Sequence, residues 1–168
     1  MTAPASDQRR ISVGIGQIAV SKDSHDVLVA YGLGSCIGVS AHDASSGVSG
    51  LVHVLLPASD GKTPQAGEPA RFADTGIDAL LKEMTAAGAS SRRIVLKLAG
   101  GAAVLGPGNA EKFKIGERNA EAIKERLKVH GLRAVREDLG GTKGRTLELH
   151  VCSGKTFVRT AASPASEL

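Results

Sequence analysis

The order in which strand patterns and helix patterns follow one another constrains the fold of this chain most. Short apolar runs fill its first part, and an amphipathic pattern with apolar residues three and four positions apart follows at 70–87. A β-branched run at 94–98 precedes a second amphipathic pattern at 117–130, and three short runs close the chain. This order of strands and helices predicts an α/β layered fold with much antiparallel pairing.

The strand patterns are bounded by glycine, proline and polar turn residues. Alternate positions are apolar from 11 to 15 and the register then changes, which predicts one strand over 11–20 with a glycine bulge. Gly140-Gly141 and Ser153-Gly154 separate later runs and predict hairpin turns. The other predicted strands are 26–31, 37–41, 48–56, 94–98, 133–137, 146–151 and 156–159.

The length of the chain fits a single domain. Of its 168 residues 42% are hydrophobic, which is enough to bury one core at this size. Residues 1–10 and 161–168 show no apolar periodicity and are predicted to be flexible tails. The predicted domain is therefore 11–160.

Composition argues against several classes of partner. Aromatic residues make up 2% of the chain and the net charge of +4 is spread among acidic residues, so we expect no nucleic acid as partner. No apolar run approaches the length of a spanning helix, about 18 residues, and no signal-peptide core is visible. Two cysteines make no disulfide framework in a chain of this length. We therefore expect a cytoplasmic protein that is not inserted in a membrane.

Three glycines, Gly32, Gly34 and Gly38, frame Cys36 so closely that a substrate can reach the main chain without meeting side chains. A displayed cysteine with a distant histidine is a candidate nucleophile with its base, and here the histidine is His53 in a Val-His-Val-Leu-Leu-Pro run. A hairpin of the two strands that follow the turn would bring the pair together.

The residues alone leave other interpretations open. Free cysteine is among the most buried residue types, so Cys36 can also be a structural thiol, and His53 a core histidine bonded to a backbone carbonyl. A zinc site of Cys36, His42 and His53 is a third option, but the spacings of six and eleven residues match no compact ligand pattern. No metal or cofactor is predicted.

The stretch Gly32-Leu33-Gly34-Ser35-Cys36, with His53 seventeen positions after the cysteine, resembles the chemoreceptor glutamine deamidases of bacterial chemotaxis, the CheD family. Further segments match that family in the same order, and together they cover nearly all of residues 11–159. They are 13–16, 72–75, 97–102, 115–119, 138–141 and 144–145. The ordered set is far more specific than any one of its short motifs.

The resemblance implies a fold and a reaction. The fold is a single-domain layered β-sandwich with helices packed on one sheet. The reaction converts selected glutamines of methyl-accepting chemotaxis receptors to glutamate with a Cys, a His and a Thr, and Cys36 and His53 fall on the first two places. The third place, six residues before the cysteine, is Ala30 in this chain. A backbone carbonyl or a side chain such as Ser40 or Tyr31 is then expected to orient the histidine.

The chemistry of amide hydrolysis assigns a role to each residue. Cys36 must act as a thiolate, and an imidazolium at His53 is expected to lower the pKa of the thiol and later to protonate the departing ammonia. The backbone N–H of Cys36 and another amide of the turn, which Gly34 and Ser35 leave accessible, are expected to bind the oxyanion. Two alternatives remain: hydrolysis of receptor glutamyl methyl esters, and a non-catalytic module that binds receptors or a CheC-type phosphatase.

Overall fold

A computed structural model of the protein describes residues 7–104 and 110–168, with the backbone alone at 110–113. This part of the chain contains ten strands and two α-helices. In chain order they are β1 (Arg9–Ser12), β2 (Ile18–Ser21), β3 (Asp26–Leu33), β4 (Ile37–Asp43), β5 (Val48–Val54), α1 (Ala73–Ala86), β6 (Val95–Gly100), α2 (Ala110–Val129), β7 (Ala134–Leu139), β8 (Arg145–His150), β9 (Thr156–Thr160) and β10 (Ser163–Glu167). Neither helix, within the described residues, is long and apolar enough to cross a membrane.

The strands form two five-stranded sheets. The first sheet has the strand order β1-β3-β8-β9-β10 and the second sheet the order β2-β5-β4-β6-β7. Pairing is antiparallel throughout except at β1–β3 and β6–β7, which are parallel. Helix α1 packs on β5 and β2 and helix α2 contacts β4 and β7, so both helices cover the second sheet. The predicted α/β layered sandwich, with helices on one sheet and largely antiparallel strands, is confirmed.

The first sheet, the second sheet and the two helices form three layers. Apolar side chains fill the space between the two sheets and the space between the second sheet and the helices. Leu28 and Leu147 of the first sheet meet Leu51 of the second in one buried cluster. Ile77 and Leu80 of α1 belong to the cluster between the second sheet and the helices. Each such side chain contributes about 1.5–3 kcal/mol when it is fully buried, so the alternating and three-to-four spacings of the sequence account for the layering.

The predicted single strand over 11–20 is wrong. Its first part is β1 in the first sheet and its last part is β2 in the second, and the chain crosses between the sheets at 13–17. Ile11 packs against the cluster between the sheets, whereas Ile18 packs beneath the helices. The change in apolar register therefore marks a change of sheet rather than a bulge. Gly16, with a φ of 77°, makes the turn.

The two predicted hairpin turns differ in outcome. Ser153-Gly154 joins the antiparallel neighbours β8 and β9, as predicted. Gly140-Gly141 joins strands of different sheets, because β7 pairs with β6 and β8 pairs with β3. Both of these glycines have positive φ, and Arg145 donates hydrogen bonds to the carbonyls of Asp138 and Gly140 across the connection. A buried arginine thus stabilises the crossing.

The chain ends are more ordered than predicted. β10 lies within the expected C-terminal tail, 161–168, and pairs antiparallel with β9. The backbone carbonyl of Leu168 accepts a hydrogen bond of 2.6 Å from Lys97 Nζ. At the other end β1 begins at Arg9, inside the expected tail of residues 1–10, and residues 1–6 lie outside the described part. The extent of the domain, 11–160, stays a prediction.

Candidate active site

The β4–β5 hairpin brings Cys36 and His53 to one face of the second sheet. His53 lies opposite Gly38 in the register of these strands, and Cys36 precedes Gly38 by two residues. Diagonal positions of this kind share a face, and the pairing of the two side chains stays a prediction. A Cβ at Gly38 would lie 2.8 Å from Leu147 of β8, so this face looks towards the first sheet. The predicted hairpin is confirmed.

Both side chains are almost enclosed: Cys36 is 7% exposed and His53 is 3% exposed. Cys36 also belongs to the apolar cluster between the sheets. The thiol and the imidazole are therefore almost inaccessible to solvent in this structure.

Hydrogen bonds from later parts of the chain hold all three carbonyls of the turn before β4. The donors are two backbone N–H groups that follow β6 and one side chain of α2. The bonds are Ala102 N to Gly34 O at 2.7 Å, Asn119 Nδ2 to Ser35 O at 3.0 Å, and Gly101 N to Cys36 O at 2.9 Å. Within residues 7–104 and 110–168, the N–H groups of Ser35 and Cys36 donate to no backbone carbonyl. These amides are the ones available for an oxyanion.

Glycines permit this close approach to the turn. A Cβ at Gly100, where φ is 121°, would lie 2.2 Å from the carbonyl oxygen of Cys36. A Cβ at Gly116 of α2 would lie 2.5 Å from the carbonyl oxygen of Gly101. The end of β6 is thus pressed between the turn and α2. This explains why Gly116 sits inside a helix that the sequence predicted to begin only at 117.

A backbone carbonyl orients His53. Its Nδ1 lies 3.0 Å from the carbonyl oxygen of Val13, which can only accept, so Nδ1 carries the proton. Nε2 is then the basic nitrogen, and it is buried without a hydrogen-bond partner in the described part of the chain. Two backbone bonds join the same segments, from Gly16 N to His53 O at 2.8 Å and from His53 N to Gln17 O at 3.2 Å. The 13–17 connection therefore fixes the imidazole in the tautomer of a general base.

Burial favours the neutral form of both groups in the free protein. It lowers the pKa of His53, against an opposing effect of the Val13 carbonyl. It also raises the pKa of the Cys36 thiol, and the N–H of Cys36 itself opposes this in part. Desolvation thus disfavours both the imidazolium and the thiolate before substrate binds, and the expected lowering of the thiol pKa by His53 stays a prediction.

Comparison with known proteins identifies the family. A family model described as CheD chemotactic sensory transduction matches residues 55–160. A probable chemoreceptor glutamine deamidase CheD of Symbiobacterium thermophilum is 41% identical over 97% of this chain and 99% of its own length. The chain belongs to the CheD family. Relatives with the same description are 44% identical in Pyrococcus abyssi, over 90% of this chain and 91% of theirs, and 42% identical in Thermococcus kodakarensis, over 91% and 94%.

Ala30 stands at the place where the resemblance implies a threonine. Ala30 is fully buried on β3, opposite Leu147 of β8. Neither side chain expected to replace the missing hydroxyl takes that role. Ser40 Oγ lies 3.0 Å from Thr156 Oγ1, and Tyr31 OH accepts a bond of 3.3 Å from Arg10 Nε.

The carbonyl of Val13 is thus the group that orients the histidine of this CheD protein. The sequence predicted that a backbone carbonyl could serve but not which one. Every residue carries a carbonyl, so no residue type marks the position.

We expect Ala30→Thr to change kcat/KM for glutamine hydrolysis by less than about threefold, because the Val13 carbonyl already fixes the tautomer. The added atoms enter a filled site and should cost about 1–3 kcal/mol of stability. Ala30→Val is the matched control, since it has the same shape without the hydroxyl. A rise of about tenfold in the threonine variant alone would show that the carbonyl does not suffice.

The rate at which Cys36 is alkylated tests whether its thiol is neutral before substrate binds. Only the thiolate reacts with iodoacetamide, so in a Cys152→Ser background we expect slow alkylation of Cys36 at neutral pH. The rate should rise about tenfold per pH unit to beyond the ordinary thiol pKa of about 8.5. A plateau of fast alkylation on the acid side would instead reveal a preformed thiolate–imidazolium pair.

The alternative zinc site does not form among the described residues. His42 lies four positions further along β4 than Gly38, and its Nδ1 is 2.7 Å from Ser49 Oγ. No three His, Cys, Asp or Glu side chains of residues 7–104 and 114–168 come close enough to hold a metal ion.

Proposed function

We propose that this CheD-family protein is a chemoreceptor glutamine deamidase. It hydrolyses the side-chain amide of selected glutamines in methyl-accepting chemotaxis receptors, releases ammonia and leaves glutamate residues in the receptor. The observation that carries the proposal is the state of His53, whose Nδ1 is tied to Val13 and whose Nε2 has no partner in the described part of the chain, on the strand next to the one that follows Cys36. The substrate class comes from the names of the relatives, whose sequences match this one over nearly its whole length.

The first half of the reaction forms a thioester. The Cys36 thiol gives its proton to His53 Nε2 as the sulfur attacks the amide carbon, so the charged pair arises only with substrate in place. The N–H groups of Cys36 and Ser35 donate to the oxyanion of the tetrahedral intermediate. The C–N bond then breaks as Nε2 returns its proton to the departing ammonia.

The second half restores the enzyme. Water enters the space that ammonia has left, and His53 Nε2 takes a proton from it as its oxygen attacks the thioester carbon. Collapse of the second tetrahedral intermediate breaks the C–S bond and returns the proton to the sulfur of Cys36. The balance is one water consumed and one ammonia released for each glutamate formed.

Mass spectrometry of a receptor cytoplasmic fragment incubated with the protein tests this proposal. Deamidation raises the mass of a glutamine peptide by the difference between an acid and an amide. Hydrolysis of a methyl ester lowers the mass of a methylated peptide by one CH₂ group, and a purely binding module changes neither peptide. Only the first result, with ammonia released in equal amount, supports a deamidase.

We further propose the cytoplasm as the site of the reaction and a CheC-type phosphatase as a second partner. Both rest on membership of the CheD family. Co-elution of a purified CheC-type phosphatase with this protein, but not with an unrelated protein of similar charge, tests the partner.

A further inference from the structure

Asn119 joins the two segments that carry the candidate catalytic pair. It lies on α2, is 0% exposed, and its Nδ2 is 3.0 Å from the carbonyl oxygens of both Ser35 and Leu55. Ser35 immediately precedes Cys36, and Leu55 follows His53 by two residues. One amide group therefore touches both sides of the hairpin.

The contact lies where the hairpin has no hydrogen bonds of its own. The β4–β5 register ends at the pair Ile37 and Val54, and the next residue, Leu55, turns its N–H to the carbonyl of Arg71. Beyond that pair no ladder bond joins the two segments. Asn119 bridges them there in place of a further rung of the ladder.

The orientation of the amide follows from its partners. A side-chain amide has two N–H donors and one acceptor oxygen, and Asn119 directs both donors to backbone carbonyls. A flipped amide would set its oxygen against two carbonyl oxygens. In the orientation present, Oδ1 is buried without a partner in the described part of the chain, which costs free energy. An apolar residue would avoid that cost, but it would leave the carbonyls of Ser35 and Leu55 without this donor.

The helix behind Asn119 is itself set at a fixed distance from the turn. Gly116, one turn earlier on α2, touches the backbone of Gly101, whose N–H holds the carbonyl of Cys36. Ile123, one turn later, is fully buried in the other apolar cluster, beneath the helices. The asparagine thus extends from a rigid base to both segments.

We propose that Asn119 is a positioning residue that fixes the separation of the Cys36 turn from the strand that carries His53. The proposal deepens the proposed function, because it concerns the same site. Proton transfer between the sulfur and Nε2 depends steeply on that separation. Asn119 itself touches no reacting atom.

The decisive comparison uses Asn119→Leu, which keeps the volume and removes both donors. At a temperature where every variant is folded, we expect its kcat for receptor glutamine to fall about tenfold or more with KM nearly unchanged. Ile123→Ala is the matched control, because it destabilises the same helix but leaves the bridge intact, and it should keep kcat within about twofold. An equal loss in both variants would overturn the proposal.

The pH dependence of the rate of Asn119→Asp distinguishes a positioning role from a purely structural one. Its carboxylate cannot donate at neutral pH, whereas the protonated acid donates one hydrogen bond. The rate of this variant relative to the parent should therefore rise by about threefold or more as the pH is lowered from about 7.5 to about 5.5. A constant ratio in folded protein contradicts the proposal. This variant is isosteric and decides the question if Asn119→Leu does not fold.

A second substrate separates the proposal from the proposed function. Acylation of Cys36 by p-nitrophenyl acetate uses the same sulfur and base without any receptor. The Asn119 variants should show the same losses in the p-nitrophenolate burst, in a Cys152→Ser background. If the parent acylates but leaves receptor glutamine intact, the substrate assignment fails while the positioning role stands. An unchanged burst in Asn119→Leu overturns the positioning role itself.

Discussion

Replacing Cys36 with Ala is expected to lower glutamine hydrolysis by at least about a thousandfold, because the covalent step has no other nucleophile. The measurement is release of ammonia from a receptor fragment, with mass spectrometry of the glutamine peptides. The fold should remain, since the change removes one sulfur atom from a site that the carbonyl bonds of the turn already hold. The temperature of unfolding checks this.

Cys152→Ser is the control for this experiment. Cys152 is a free, half-buried thiol at the connection from β8 to β9, far along the chain from the turn. Its loss should leave the rate unchanged. Activity that persisted in the Cys36 variant and vanished in the Cys152 variant would mean that the nucleophile had been assigned to the wrong cysteine.

His53→Asn is expected to lower kcat/KM by about a hundredfold to ten-thousandfold, the usual contribution of a positioned general base. Asparagine can still donate to the carbonyl of Val13, so the variant removes the base while keeping a donor at that place. His42→Asn is the matched control. It makes the same substitution at the other end of β4, beside Ser49, and should keep the rate.

The dependence of kcat/KM on pH also tests the role of His53. The parent requires neutral His53, so its kcat/KM falls as the pH drops through the pKa of the imidazole. Burial lowers that pKa, and the fall should therefore lie below the ordinary histidine value of about 6.5. In His53→Asn the inflection at the pKa of the imidazole should disappear, and the rate should instead climb with pH up to the pKa of the thiol. A parent profile whose acid side is unchanged in the variant would remove His53 from the mechanism.

The turn and the hairpin of the site could be predicted from the sequence. Glycines around Cys36, and an apolar run that ends at a proline after His53, predict both, and the structure has the β4–β5 hairpin. The pairing of Cys36 with His53 stays a prediction. Val13 could not be assigned, because its contribution is a backbone carbonyl. Asn119 was one residue of a matched segment, and nothing in its helical surroundings shows that it reaches residues 84 and 64 positions away.

The errors in the prediction of the fold have a similar origin. The strand β10 is exposed along its whole length and polar, so it shows no alternation of buried and exposed positions. The chain changes sheets after β1, β2, β3 and β7, and local patterns carry no information on which sheet a strand joins. The hydrophobic pattern predicted the layers because burial of apolar surface is what forms them.

The long reach of Asn119 bears on how the protein is made. A ribosome delivers Cys36 and His53 early, whereas the residue that bridges their segments follows 84 positions after Ser35. Contacts this far apart in sequence form late in folding, because the loop between them must first be closed. A nascent chain shorter than about 119 residues therefore carries the thiol and the imidazole without the geometry that joins them. On the proposed role of Asn119, we expect activity only after most of the chain has been made.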